Sequence, residues 1–114
     1  MIKSNLTHDD LFNLQADFCF IFRNPTRLKI LWFLEGAEKT VSEIAEAVGT
    51  SLSNVSQHLR IMKGLRIITS RKEAQWMYYR ITNEKFILGP SLVKEGIIEV
   101  YGLDSVQTKK DRAS

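Results

Sequence analysis

The stretch from Val41 to Met62, VSEIAEAVGTSLSNVSQHLRIM, decides the fold. Val41, Ile44, Ala45 and Val48 recur at the spacing that puts side chains on one face of a short helix, and Gly49 stops it. From Ser51 the pattern restarts with Leu52, Val55, Leu59 and Met62 turned inward, which leaves Ser53, Gln57 and Arg60 on the opposite face. Two short helices meeting at a sharp angle need a small residue where they touch and a glycine where the chain turns back. Ala45 and Gly49 supply these. The segment reads as a helix-turn-helix, and the outward face of its second helix carries groups that fit phosphate oxygens and base edges in a major groove.

Working outward, Trp76, Met77, Tyr78, Tyr79 and Ile81 are strand-favouring types beside the polar turn Arg71 to Gln75, so residues 67 to 81 are expected to form a β-hairpin. A hairpin directly after such a helix is a wing, able to lie along the neighbouring sugar-phosphate backbone. Upstream, Thr7 and Asp10 make a capping box for a helix from 8 to 22 striped by Leu11, Leu14, Phe18, Ile21 and Phe22. Asn24 caps a second helix with Pro25 at its first position. Leu28, Ile30, Leu31, Trp32, Phe33 and Leu34 make it apolar on more than one face, as a central helix should be, and Gly36 ends it. Thr40 and Glu43 form the box of the first helix of the helix-turn-helix, and Ser51 caps the second. Pro90 interrupts the last apolar segment, so a final helix is expected over 91 to 101, striped by Leu92, Val93, Ile97, Val100 and Tyr101.

The expected class is mainly α with a small β-hairpin, in the order α-α-α-α-β-β-α: a winged helix-turn-helix filling residues 1 to 104, with a polar, disordered tail over 105 to 114. Phe12, Phe18, Phe20 and Phe22 at one end and Ile97, Ile98, Val100 and Tyr101 at the other exceed what so small a core needs. The excess predicts a homodimer formed by the terminal helices. A two-fold dimer also sets two recognition helices about 34 Å apart, one turn of DNA.

With 114 residues, 44% of them hydrophobic and 25% charged, the chain has the size and balance of one ordinary globular domain. Its net charge of +3 is modest but unevenly spread. Residues 1 to 50 hold five Lys or Arg against seven Asp or Glu, whereas from 51 to 81 six cations (Arg60, Lys63, Arg66, Arg71, Lys72, Arg80) face the single acid Glu73. Positive charge thus follows the second helix and the hairpin, as an electrostatic footprint on DNA requires. Cys19 is the lone cysteine, which excludes an intramolecular disulfide and any CxxC pair. Residues 1 to 10 lack the pattern of an export signal and no apolar run approaches membrane-spanning length, so a cytoplasmic protein with no membrane partner is expected.

The runs Asn24-Pro25-Thr26-Arg27-Leu28-Lys29-Ile30-Leu31, Ser51-Leu52-Ser53-Asn54-Val55-Ser56-Gln57-His58-Leu59-Arg60, Arg71-Lys72-Glu73 and Tyr78-Tyr79-Arg80-Ile81 together resemble the ArsR/SmtB winged-helix repressors. The resemblance covers roughly residues 15 to 85 in order and spacing. It implies a homodimeric transcriptional regulator that binds an imperfect palindrome, usually as a repressor released by an inducer. By position it implies DNA contacts from Ser51, Ser53, Asn54, Ser56 and Gln57, with Arg71 and Lys72 on the wing; Arg60 joins them from its place on the outward face.

The departures bear on the controlling signal. Metal-sensing members carry a cysteine pair on the first helix of the helix-turn-helix, where this chain has Thr40 and Ser42, which cannot replace thiolates for soft ions. Others hold zinc between their last helices, where Glu95, Glu99 and Asp104 stand here without a histidine. Persulfide sensing takes two cysteines. No metal or cofactor is therefore expected, and at the wing tip Ala74 and Gln75 replace the usual Gly-Arg. A glycine also usually ends the second helix where Arg66 stands. Of the remaining singular residues, His58 flanks the apolar stripe and reads as a hydrogen-bonded structural histidine rather than a base reader. Cys19, among phenylalanines, reads as a small buried hydrophobe, with an intermolecular redox contact as the sharper alternative. Trp32 and the Tyr78-Tyr79 pair read as packing.

Two functions of different class follow: a sequence-specific regulator gripping double-stranded DNA, or a winged-helix module that docks on another protein. The cations over 51 to 81 favour the first. Catalysis is not expected, since two scattered histidines, one cysteine and no glycine-rich phosphate loop supply no nucleophile and base. For the inducer, four routes stay open: a metal, oxidation at Cys19, an organic ligand between the terminal helices, or none.

Overall fold

The structure, a computed structural model, describes residues 5–103. The proposed tail over 105 to 114 and Asp104 lie outside the described residues. Helices α1 (His8–Ile21) and α2 (Pro25–Leu34) precede a short strand β1 (Lys39–Thr40), after which come α3 (Val41–Val48), α4 (Leu52–Gly64), the hairpin β2 (Ile68–Glu73) and β3 (Trp76–Ile81), and α5 (Lys85–Tyr101). The winged helix-turn-helix order is the expected one with a strand added, and the sheet runs β1-β3-β2, all antiparallel.

Each of the first four helices begins where a short polar side chain can take an orphan amide. The Thr7 hydroxyl accepts from the Asp10 amide at 3.0 Å while Asp10 accepts from the Thr7 amide at 3.1 Å, and Thr40 with Glu43 repeats this box at 3.3 and 2.9 Å. Asn24 accepts from the Arg27 amide and Ser51 from the Asn54 amide, both at 3.1 Å. Gly49 closes α3 at φ 75, a left-handed conformation that costs glycine nothing. Thr40 has two duties, since it caps α3 and pairs with Tyr78 in β1 against β3, which ties the helix-turn-helix to the wing.

The core lies where α2, α3 and α4 meet the base of the wing. Ile30, Leu31, Leu34, Ile44, Val55, Leu59, Met62, Ile67 and Ile68 are essentially sealed from solvent, with Ile21 and Ile87 closing it from α1 and α5. The terminal helices meet through the Phe18 and Phe86 rings, 5.2 Å apart, and Lys94 of α5 sits 5.6 Å over the Trp32 ring of α2.

Four expectations are corrected. The last helix starts at Lys85, not after Pro90, which sits inside it. The ring removes only the amide that would have bonded the Phe86 carbonyl, and Gly89 before it has no Cβ to clash with the proline Cδ. The wing turn is the pair Ala74-Gln75 alone, because Arg71↔Tyr78, Lys72↔Met77 and Glu73↔Trp76 continue the ladder to its tip. Leu52 is 52% exposed: as the first residue of α4 it projects past the α3 contact and lines a shallow groove with Ser42, Glu46 and Thr50. Cys19 is exposed, not buried, because only Phe18, Ile21 and Phe22 of α1 reach the core.

The end of α4 is unusual. The Arg66 amide bonds the Lys63 carbonyl and the Ile67 amide bonds the Met62 carbonyl, both at 3.0 Å. This closure wants a left-handed residue at Arg66, which adopts φ 62 despite its side chain.

Candidate nucleic-acid interface

Burial of Val55, Leu59 and Met62 fixes the rotation of α4 about its axis. The opposite side must then face solvent, and Ser53, Ser56, Gln57 and Arg60 are all exposed there. Ser53, Gln57 and Arg60 stand at i, i+4 and i+7, one continuous stripe. Ser51 is exposed too, though its oxygen is engaged as the N-cap, which leaves its hydroxyl proton to donate. Asn54 is turned aside, half-buried, with Nδ2 donating to Thr50 Oγ1 at 3.1 Å. The residues inferred from sequence thus divide into an outward row of five and one that braces the turn before the helix.

The wing stands beside this helix. Lys63, at the last turn of α4, donates from Nζ to Ser70 Oγ of β2 at 2.6 Å, linking the two. In the ladder, Ser70 and Lys72 share one face with Tyr79 and Met77, whereas Arg71 and Glu73 share the other with Tyr78 and Trp76. Lys72 is exposed and, among the described residues, forms no ion pair. Arg71 is exposed but held: Glu38 takes its Nε and Nη2, Glu73 takes its Nη1, and its guanidinium lies 4.8 Å over the Tyr78 ring. These hydrogen bonds keep the Glu38 carboxyl below the usual carboxylate range and raise the guanidinium's hold on its proton. Glu38 escaped the sequence reading because its partner lies 33 positions away.

His58 is structural, as expected. Arg27 Nε donates to His58 Nδ1 at 3.2 Å and Arg27 Nη1 donates to the Ile21 carbonyl at 3.3 Å, so one guanidinium ties α1, α2 and α4 together. Partial burial, and then the Arg27 charge, push the His58 pKa down and favour the neutral acceptor. At the two positions where thiols would be needed for soft metals, the Thr40 hydroxyl is spent on its cap and Ser42 is exposed. Among the described residues no group of three or more His, Cys, Asp or Glu side chains converges to hold a metal ion, and no helix is long and apolar enough to cross a membrane.

Residues 24–70 match the family model described as bacterial regulatory protein, arsR family. The chain is similar to the HTH-type transcriptional regulator KmtR of Mycobacterium tuberculosis, 34% identical over 76 residues, which cover 67% of this chain and 58% of that protein. It is similar to nodulation protein NolR of Rhizobium meliloti, 33% identical over 100 residues, 86% of this chain and 76% of the relative. Its fold is similar to the solution structure of a homodimeric winged helix-turn-helix DNA-binding domain from Mycobacterium bovis, a possible ArsR-family transcriptional regulator. That match has a TM-score of 0.75 at 26% identity, covering 93% of this chain and 100% of the other.

Proposed function

This chain belongs to the ArsR family of bacterial regulatory proteins, and from that premise we propose that it is a homodimeric, sequence-specific regulator of transcription that binds double-stranded DNA. The observation that carries the reading is the exposed row on α4, namely Ser51, Ser53, Ser56, Gln57 and Arg60, flanked by a wing that adds Arg71 and Lys72. Ser53 and Gln57 are the base readers, and Arg60, Lys72 and the Ser51 hydroxyl take phosphates. Asn54 supports the row by bracing Thr50.

Dimerisation is proposed through α1 and α5, whose outer faces expose Leu11, Phe12 and Phe20 on one helix and Leu92, Val93, Ile97 and Val100 on the other. The similar Mycobacterium bovis domain is homodimeric, which supports this. A two-fold pair presents its α4 helices to successive major grooves of an imperfect palindrome. The resemblance implies repression, and occupation of a promoter by such a dimer represses by exclusion.

The experiment is a titration against duplex that the protein selects from random-sequence DNA, repeated at several salt concentrations. The expected log affinity falls steeply with log salt because each neutralised phosphate releases counterions. A slope near zero removes the phosphate contacts and with them this function.

A further inference from the structure

Glu38 lies in the link between α2 and β1, outside the helix-turn-helix and the hairpin. Its carboxylate accepts from Arg71 Nε at 3.0 and 2.9 Å and from Nη2 at 2.9 Å, the planar fork that guanidinium offers to carboxylate and phosphate alike. Glu73 takes Nη1 at 2.6 Å, and Tyr78, directly across the ladder, covers one face of the guanidinium. Two carboxylates against one guanidinium leave the group with a net negative charge. Arg80 is the other cation whose field reaches Glu38. A DNA phosphate approaching the outer face of the wing therefore meets an arginine whose preferred geometry is already filled.

We infer that Glu38 is a brake on DNA binding: it holds Arg71 in an intramolecular ion pair that a backbone phosphate must displace. The inference rests on the DNA-binding reading above and adds a residue that sets its strength. Glu38 has the greater part because it belongs to the body of the domain. The next two residues, Lys39 and Thr40, pair with β3, so the pair pins the wing to the core, whereas Glu73 rides on the hairpin itself. The side chains of Arg71 and Glu38 are 48% and 32% exposed, so water screens the pair and the hold is weak enough to be exchanged.

The test compares wild type, Glu38→Gln, Arg71→Ala and the double variant on the duplex that the wild type selects from random-sequence DNA, each over a range of salt. Glu38→Gln is expected to bind about two- to fivefold tighter, the scale of an exposed ion pair. Its log–log salt slope steepens by up to about one, because the wild type leaves Arg71 on Glu38 in part of its complexes. Arg71→Ala cancels the gain, so that the double variant binds like Arg71→Ala alone. Glu73→Gln, a second variant at a surface position, shifts affinity in the same direction by less. Wild-type binding with unchanged or weaker binding by Glu38→Gln overturns the brake alone, and so does a gain that persists without Arg71. A wild type that binds no duplex at any salt overturns the DNA-binding reading together with the brake.

Discussion

The helix-turn-helix with its wing and the two terminal helices are built from similar apolar residues and treat them in opposite ways. In the first region Ile44, Val55, Leu59 and Met62 are all 1% exposed or less. In the second, Phe12 is 67% and Val100 81% exposed, and only Ile21 and Ile87 are buried among the residues of α1 and α5. One region completes its core within a single chain. The other carries surface whose burial is worth about 25 cal/mol per Å2, which a second copy would recover. On the function proposed above, reading and pairing fall to different parts of one small domain.

The largest expected effect breaks the inner region. Leu59→Ala removes a sealed side chain from α4 and is expected to cost about 2–5 kcal/mol, read from a chemical-denaturation curve. Phe12→Asp addresses the outer region. Secondary structure is expected to persist while sedimentation velocity shows the dimer giving way to monomer; a dimer that survives this charge would move the interface away from α1. A smaller effect compares the two regions at equivalent points, because α4 and α5 end with the same hydrogen-bonded closure, on Arg66 in one and Gly102 in the other. Arg66→Gly is expected to raise stability by about 1 kcal/mol by relieving a left-handed side chain, read as a shift in denaturation midpoint.

The smallest effect lies at the seam between the regions. Because the folded protein holds the His58 pKa below its ordinary value, the unfolded chain binds the proton more readily. Stability is then complete above about pH 6.5 and declines as pH falls from there toward the folded pKa. His58→Gln should flatten thermal stability across that window, and a pH profile unchanged by the substitution would show that His58 is not the group that sets it.

Local chemistry was legible in the sequence and distant pairing was not. Thr7, Asn24, Thr40 and Ser51 declared themselves because a cap joins residues three apart. The row Ser53, Gln57 and Arg60 followed from where Val55 and Leu59 had to point. Strand β1 was missed because two residues, Lys39 and Thr40, carry no period, and their partners Tyr79 and Tyr78 arrive after two helices and a strand. Arg71 looked like an unencumbered wing cation for the same reason, its partner Glu38 being contributed from before α3. Pro90 misled in another way, since a breaker of most helices is tolerated here after Gly89. Cys19 and Leu52 were misjudged because composition says which residues favour burial but not whether the chain supplies a surface to bury them against.

The separation of reading from pairing is tested most directly by the affinity of Ser53→Ala/Gln57→Ala for the duplex the wild type selects, measured beside its thermal unfolding and its oligomeric state. Both side chains are exposed, so fold and dimer are expected to stay as in the wild type. Affinity for that duplex should fall at least about tenfold, the scale of a lost base contact. Unchanged affinity, with fold and dimer intact, would contradict the account and leave the α4 face as a solvated or protein-docking surface.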